Sequence, residues 1–324
     1  MTPPRPPSIA LAPPPSVRVR APGKVNLSLR VGALQDDGYH PLVTIFQAVG
    51  LSEDVVAHQV PPGSGVSLSV QGLQADVVPT DGTNLAWRAA VALAEHVGVD
   101  PDVHLEIHKE VPVAGGMAGG SADAAAALVA CDALWDTGVP RADLVRLARQ
   151  MTSALAAGLG ADVAFGLVGH TAVGTGRGDV LTPAMTRGEF HWVFAVQAEG
   201  LSTAQVYRTF DETVGGPAEL DLAEDTALMQ ALRAGDAVGL GQVLRNDLQE
   251  PALALRPELQ RTLDVATEAG ALGAIVSGSG PTVAALARSR QHALAIAASW
   301  TANDACDTVW CTTAPAAGAR VVAR

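Results

Sequence analysis

Lysine is almost missing from this chain of 324 residues: of its 21 basic residues only Lys24 and Lys109 are lysines, and the rest are arginines. Where guanidinium supplies nearly all positive charge, a retained lysine marks a place for a compact point-charge donor, although chance survival of two codons accounts for it equally well. Cysteine is scarce too. Cys131, Cys306 and Cys311 are scattered and form no CxxC pair, which excludes a disulfide framework and a cysteine metal site and favours buried thiols in a reducing compartment. No apolar run approaches the roughly 20 residues that span a bilayer, and the N-terminus lacks the charged-then-apolar order of a signal peptide, so a cytoplasmic location is expected. A dense basic run is also lacking. With a formal net charge of −12, nucleic acid and anionic membrane are excluded as partners, whereas a small phosphorylated ligand needs only a few backbone N–H groups and one cation.

What is present is apolar: 48% hydrophobic against 17% charged residues, enough to bury sizeable cores, and the length favours two domains. Residues 1–15 hold seven prolines and read as a disordered or extended tail. An N-terminal domain is expected over 16–185 and a C-terminal one over 186–324. From Val17 a strand is predicted, with Asn26, Ser28 and Arg30 alternating with Leu27, Leu29 and Val31 as in a half-buried sheet, and with Lys24 on the polar face. Further strands are predicted at 44–49, 54–60, 66–70 and 103–107. A helix capped by Asn84 is predicted to run to about His96. The second half alternates helices with strands at 191–197, 274–277, 282–287 and 307–312, which favours an antiparallel sheet faced by helices.

The sharpest motif is Pro112-Val113-Ala114-Gly115-Gly116-Met117-Ala118-Gly119-Gly120-Ser121-Ala122, followed by an alanine-rich helix to about Trp135. Glycines let backbone N–H groups approach phosphate oxygens, and the following helix aims its positive dipole end at the anion. Gly115 and Gly120 have the spacing of a Walker A motif, but Ser121 stands where lysine is required, and no GxGxxG is present. A cation must therefore come from elsewhere, and Lys24 is the candidate. Lys109 is expected on an exposed strand edge. Asp162, after Gly158-Leu-Gly160-Ala, is either a helix cap or the acceptor of a hydroxyl proton. Gly278-Ser279-Gly280-Pro281 is either a hairpin connection or a second close approach to phosphate. The chain has only two tyrosines. Tyr39-His40, beside the turn Asp37-Gly38, could stack on and hydrogen-bond a base, and Tyr207 is similar but less secure. Asn246-Asp247-Leu248 is either a cap or a site wall.

Ala21-Pro-Gly-Lys-Val-Asn-Leu27, the stretch from Pro112 to Ala127 and Ser277-Gly-Ser-Gly-Pro-Thr282 together resemble the three ordered motifs of the GHMP kinases. Asp37-Gly-Tyr-His40, Gly160-Ala-Asp-Val163 and Asn246-Asp-Leu248 are similar to the branch acting on a cytidine-diphosphate-linked methylerythritol. The resemblance covers about residues 17–312. It implies a two-domain α+β fold with an N-terminal mixed α/β domain, a C-terminal antiparallel sheet faced by helices and a site in the cleft between them. It also implies transfer of the ATP γ-phosphate to the 2-hydroxyl of that acceptor, in non-mevalonate isoprenoid precursor synthesis, with Mg2+. By this resemblance Lys24 stabilises charge and Asp162 acts as base. Residues 112–122 hold the ATP phosphates, with Ser121 near the metal, and Asn26, Tyr39, His40, Tyr207, Gly278 and Ser279 line the acceptor. Other GHMP kinases, acting on homoserine, mevalonate or a sugar, compete with this reading, and Asp37-Gly-Tyr-His40 argues against them. A non-catalytic nucleotide-binding protein of the same fold is opposed by the presence of both Lys24 and Asp162. Ala118 replaces a glycine found in many relatives, which constrains the loop. No acidic magnesium ligand is evident, and the sequence is compatible with a homodimer.

Overall fold

The computed structural model describes residues 15–113, 115–154, 161–217, 220–221 and 225–324. Nearly all of the proline-rich tail, Ala114 of the glycine loop and the Gly158–Gly160 turn lie outside the described residues. The first half runs β1 (Ser16–Val31), β2 (Leu42–His58), β3 (Val66–Gly72), α1 (Leu85–Val97), β4 (Val103–Lys109), α2 (Gly119–Trp135), α3 (Arg141–Ala154), α4 (Ala161–Val168), β5 (Thr171–Thr175) and β6 (Val180–Pro183). The second runs β7 (Phe190–Val196), α5 (Thr203–Thr213), α6 (Thr226–Ala234), α7 (Ala237–Gln242), β8 (Arg245–Asn246), α8 (Gln249–Leu255), α9 (Glu258–Glu268), β9 (Gly273–Val276), β10 (Val283–Ala287), α10 (Arg290–Ala302), β11 (Thr308–Ala314) and β12 (Arg320–Ala323).

Two sheets result. The first has the order β12-β1-β2-β4-β3, with the β5–β6 hairpin added along the first half of β2 and β8 parallel to β1. The second, β11-β7-β10-β9, is antiparallel throughout, as the alternating pattern predicts. The last strand of the chain, β12, returns to pair with β1. Between the sheets lies a shared core in which Val25, Leu27, Ile45 and Val49 meet Phe190, Trp192, Phe194 and Leu286. Trp192 also donates its indole N–H to Gln47 Oε1 at 3.0 Å, so the contact between the sheets is both apolar and registered by a buried hydrogen bond.

Three local features place the chemistry. Asn84 caps α1 by accepting from the Ala86 N–H, as its position predicts. Helix α2 is buried on almost every side, which its alanine run allows because small side chains let the sheet and neighbouring helices approach closely. A Cβ on Gly166 would lie 2.9 Å from the Ala125 Cβ, so α4 sits close against α2 and its first turn, with Asp162, is carried beside the glycine loop.

Two expectations are corrected. The strands predicted at 44–49 and 54–60 are one strand, β2, that continues through Gly50, where a Cβ would come within 2.9 Å of Thr312 Oγ1. The glycine there admits β11 rather than breaking the strand. The polar face of β1 is not half-exposed either, since Asn26, Ser28 and Arg30 are all buried, Ser28 and Arg30 against Asp225 and Asp221 of the second half.

Candidate active site

The glycine loop leaves β4 and ends at α2, and its backbone is fixed from both sides. The Lys24 N–H donates to the Met117 carbonyl at 3.1 Å, and Val113 N–H donates to Gln74 Oε1 at 2.9 Å. Gly116, at φ +73°, abuts the turn before β10 so closely that a Cβ would lie 1.9 Å from the Ser277 carbonyl oxygen. Only glycine fits there, in both space and dihedral. The Gly116 carbonyl accepts from Lys24 Nζ at 2.8 Å and from Ser277 Oγ at 3.1 Å, which joins the three motifs at one atom. Asn246 ties β8 to the turn before β10. Its amide donates to the Val276 and Gly278 carbonyls, and its Oδ1 accepts the Leu248 N–H.

Helix α2 begins without a side-chain cap and without an acidic residue in its first turn. Its N-terminal N–H groups are thus left for an anion. Ala118, the helix-flanking residue, adopts the left-handed conformation at φ +62°. A glycine would be at ease there, and alanine pays about 1 kcal/mol for it. Ser121, three residues further on, is buried. The Thr282 hydroxyl is buried with no partner among the described residues, 2.8 Å from where a Cβ on Gly115 would be.

Lys24 is buried, and its ammonium is held by Asn26 Oδ1 at 2.7 Å and the Gly116 carbonyl, with Asp162 Oδ2 at 3.8 Å. Asn26 is oriented in turn by donating to Thr44 Oγ1. The Phe46 ring, 6.0 Å from Lys24 Nζ, stacks on Phe165 of α4 and so couples the lysine strand to the aspartate helix. Burial lowers the Lys24 pKa below its ordinary value, against the opposing pull of Asp162. The Asp162 side chain remains 27% exposed, so solvent reaches the carboxylate while Lys24 beside it is buried.

Beyond Asp162 stand the aromatic residues. Burial, then the Asp162 charge, raise the Tyr207 phenol above its ordinary range, which puts tyrosine and aspartate in one electrostatic neighbourhood. The His40 and Tyr207 rings lie 5.0 Å apart, and His40 Nε2 is 2.7 Å from Asp211 Oδ1 of α5. Tyr39 carries the Arg177 guanidinium over its ring at 3.5 Å, and Arg177 is itself tied to Asp37 at 3.0 Å. The hairpin β5–β6 and helix α5 therefore grip the Asp37–His40 segment from two directions. Ser279, on the third motif, bonds Thr203 Oγ1 at 2.9 Å.

Sequence reasoning misplaced Lys109. Expected at an exposed edge, it is buried with Nζ 2.5 Å from Glu53 Oε1 and 2.7 Å from Asp123 Oδ2. Its strand is not an edge, because β3 and β2 flank it and α2 covers it. Burial, then the Asp123 charge, push Glu53 up to about 8. Burial opposes the Lys109 charge, but the two carboxylates outweigh it and hold its pKa above the ordinary value.

Comparison with known proteins shows the family. Residues 84–170 match the GHMP kinases N terminal domain and residues 228–305 the GHMP kinases C terminal domain. The 4-diphosphocytidyl-2-C-methyl-D-erythritol kinase of Thermobifida fusca is 53% identical over 95% of this chain and 99% of its own. The enzyme of the same name from Streptomyces coelicolor is 50% identical over the same shares. Among solved structures, a 4-(cytidine 5'-diphospho)-2C-methyl-D-erythritol kinase superposes with a TM-score of 0.71 at 32% identity, over 92% of this chain and 99% of that one. A homoserine kinase from Cytophaga hutchinsonii superposes at 0.75 with 20% identity, over 95% and 97%. The shape alone is thus shared across acceptor classes, and sequence identity separates them.

Proposed function

The chain belongs to the GHMP kinases, and from that premise we propose that it phosphorylates the 2-hydroxyl of 4-diphosphocytidyl-2-C-methyl-D-erythritol with ATP, giving the 2-phosphate and ADP. What supports the mechanism is the Lys24–Asp162 pair: Lys24 Nζ also donates to the Gly116 carbonyl of the glycine loop, and the Asp162 charge reaches Tyr207, whose ring lies beside His40.

The loop fits a triphosphate. Its glycines leave no Cβ between backbone and ligand, the first turn of α2 offers N–H groups, and the Thr282 hydroxyl beside Gly115 has no partner of its own. Magnesium, when bound, would be held by the ATP phosphates, water and the Ser121 hydroxyl, and would neutralise phosphate charge. Asp162, part exposed, accepts the proton of the attacking hydroxyl. Lys24, held on three sides, presents a fixed positive charge where negative charge develops, so little reorganisation is needed during transfer. The tertiary alcohol is a poor nucleophile, and most of the acceleration comes from holding it in line with the γ-phosphate.

Acceptor choice rests on the aromatic cluster. Tyr39, backed by Arg177 on one face, offers the other to a cytosine ring, while His40, oriented by Asp211, presents its remaining ring nitrogen to the base edge. Asn26, Tyr207, Gly278 and Ser279 surround the path from base to reacting hydroxyl. Homoserine and mevalonate carry no base and leave these groups without partners. With ATP and the cytidylated acceptor, the product is expected to show a new phosphomonoester in its 31P spectrum, coupled to the quaternary C2 carbon. A phosphate on any primary hydroxyl would refute the assignment of the reacting group.

A further inference from the structure

The lysine that the mechanism does not use lies directly under the phosphate loop. Lys109 is the last residue of β4, and its ammonium joins Glu53 of β2 to Asp123 in the second turn of α2. Glu53 uses its other oxygen to accept the Glu110 N–H at 2.9 Å, at the point where the loop leaves the strand. On the far side, a Cβ on Gly119 would lie 3.0 Å from Glu53 Oε1 and 3.2 Å from Lys109 Nζ, so the first residue of α2 rests on the same group of charges. Both ends of the loop are thus tied to one point of β2. All three side chains are almost fully buried.

Stability alone is a poor reason to keep this arrangement. Two carboxylates share one ammonium in an apolar interior, and Asp123 Oδ1 has no partner among the described residues. Buried charge groups of this kind are often replaceable by apolar or neutral residues of similar shape at no loss of stability. Their use is in fixing geometry, since a charge-assisted contact of 2.5 to 2.7 Å defines position more sharply than apolar packing does. The loop needs such fixing, because its central residues are glycine, methionine and alanine and have no polar side chains with which to hold themselves.

We propose that Lys109, held between Glu53 and Asp123, is a positioning residue for ATP, fixing both ends of the glycine loop so that its N–H groups are aligned on the phosphates before the nucleotide arrives. Lys24 fixes the middle of the loop through Met117 and Gly116, and Lys109 fixes its ends. The two lysines of the chain thereby act on one loop from opposite sides. The inference rests on the kinase reading given above but does not depend on the acceptor.

The test is a neutral variant of matched shape, Glu53→Gln with Lys109→Met and Asp123→Asn, measured for thermal melting, for binding of a fluorescent ATP analogue without acceptor, and for KM of both substrates. The variant is expected to melt near the native protein, to weaken nucleotide binding and raise the ATP KM by about tenfold, and to leave the acceptor KM within twofold. A folded variant that binds nucleotide as the native protein does overturns the proposal. Should the triple variant not fold, Glu53→Gln alone carries the same readout, because it leaves one neutral ion pair in place. If neither folds, the group is structural and the proposal falls. Native protein that binds the analogue but does not phosphorylate the cytidylated alcohol would instead refute the acceptor assignment and leave this inference standing.

Discussion

Asp162→Asn is expected to lower kcat by about a thousandfold, with both KM values changed only a few-fold. The carboxamide keeps the size and much of the hydrogen bonding of the carboxylate, so substrates still bind, but it takes up no proton from the 2-hydroxyl. Stability changes little, because Lys24 keeps Asn26 and the Gly116 carbonyl as partners and the contact it loses is the longest of the three, at 3.8 Å. Melting temperature and steady-state kinetics on the same preparation separate the two effects. Loss of less than about tenfold would mean that Asp162 orients the hydroxyl without acting as base, in keeping with the large share that positioning has in phosphoryl transfer.

Lys24→Met is the second large effect, with kcat expected to fall by about a hundredfold or more through loss of a preorganised charge at the developing phosphoryl anion. Arginine will not restore it. The pocket is sized for an ammonium: a Cβ on Gly278 would come within 3.2 Å of Nζ, and a planar guanidinium needs more room than that. The pH profile supplies an independent check. The charged form is the active one, and burial lowers the Lys24 pKa, so native activity should fall on the alkaline side at a pH below the ordinary lysine value of 10.5. The residual activity of Lys24→Met should lack that limb. An alkaline limb unchanged in the variant would assign it to another group.

The parts of the site legible in the sequence were those whose meaning is local. The glycine loop, the Asn84 cap and the turn before β10 each carry their signal within a few residues, and the period-two alternation of β1 placed Lys24 and Asn26 on one face. What alternation could not tell was whether that polar face met water or a polar interior, since both select the same residue types. Long-range pairings were not legible either. Lys109 finds Glu53 across 56 residues and Arg177 finds Asp37 across 140, and nothing in the local sequence of either cation announces its partner. The rarity of lysine was the one available signal for Lys109. It singled out Lys109 alongside Lys24, but the strand pattern around Lys109 suggested an edge, because burial by α2 depends on how the helix folds back over the sheet. Arg177 had no such signal among many arginines. The return of β12 to β1 likewise depends on tertiary closure rather than on strand propensity.

The central claim is that this loop, lysine and aspartate serve a cytidylated alcohol, and the most direct measurement is ADP release with Mg-ATP across four acceptors: 4-diphosphocytidyl-2-C-methyl-D-erythritol, mevalonate, homoserine and galactose. Turnover is predicted with the first alone, with kcat/KM at least about a thousandfold above the others, because only that acceptor pairs the groups at Tyr39 and His40. Comparable or faster turnover of mevalonate, homoserine or galactose would contradict the account.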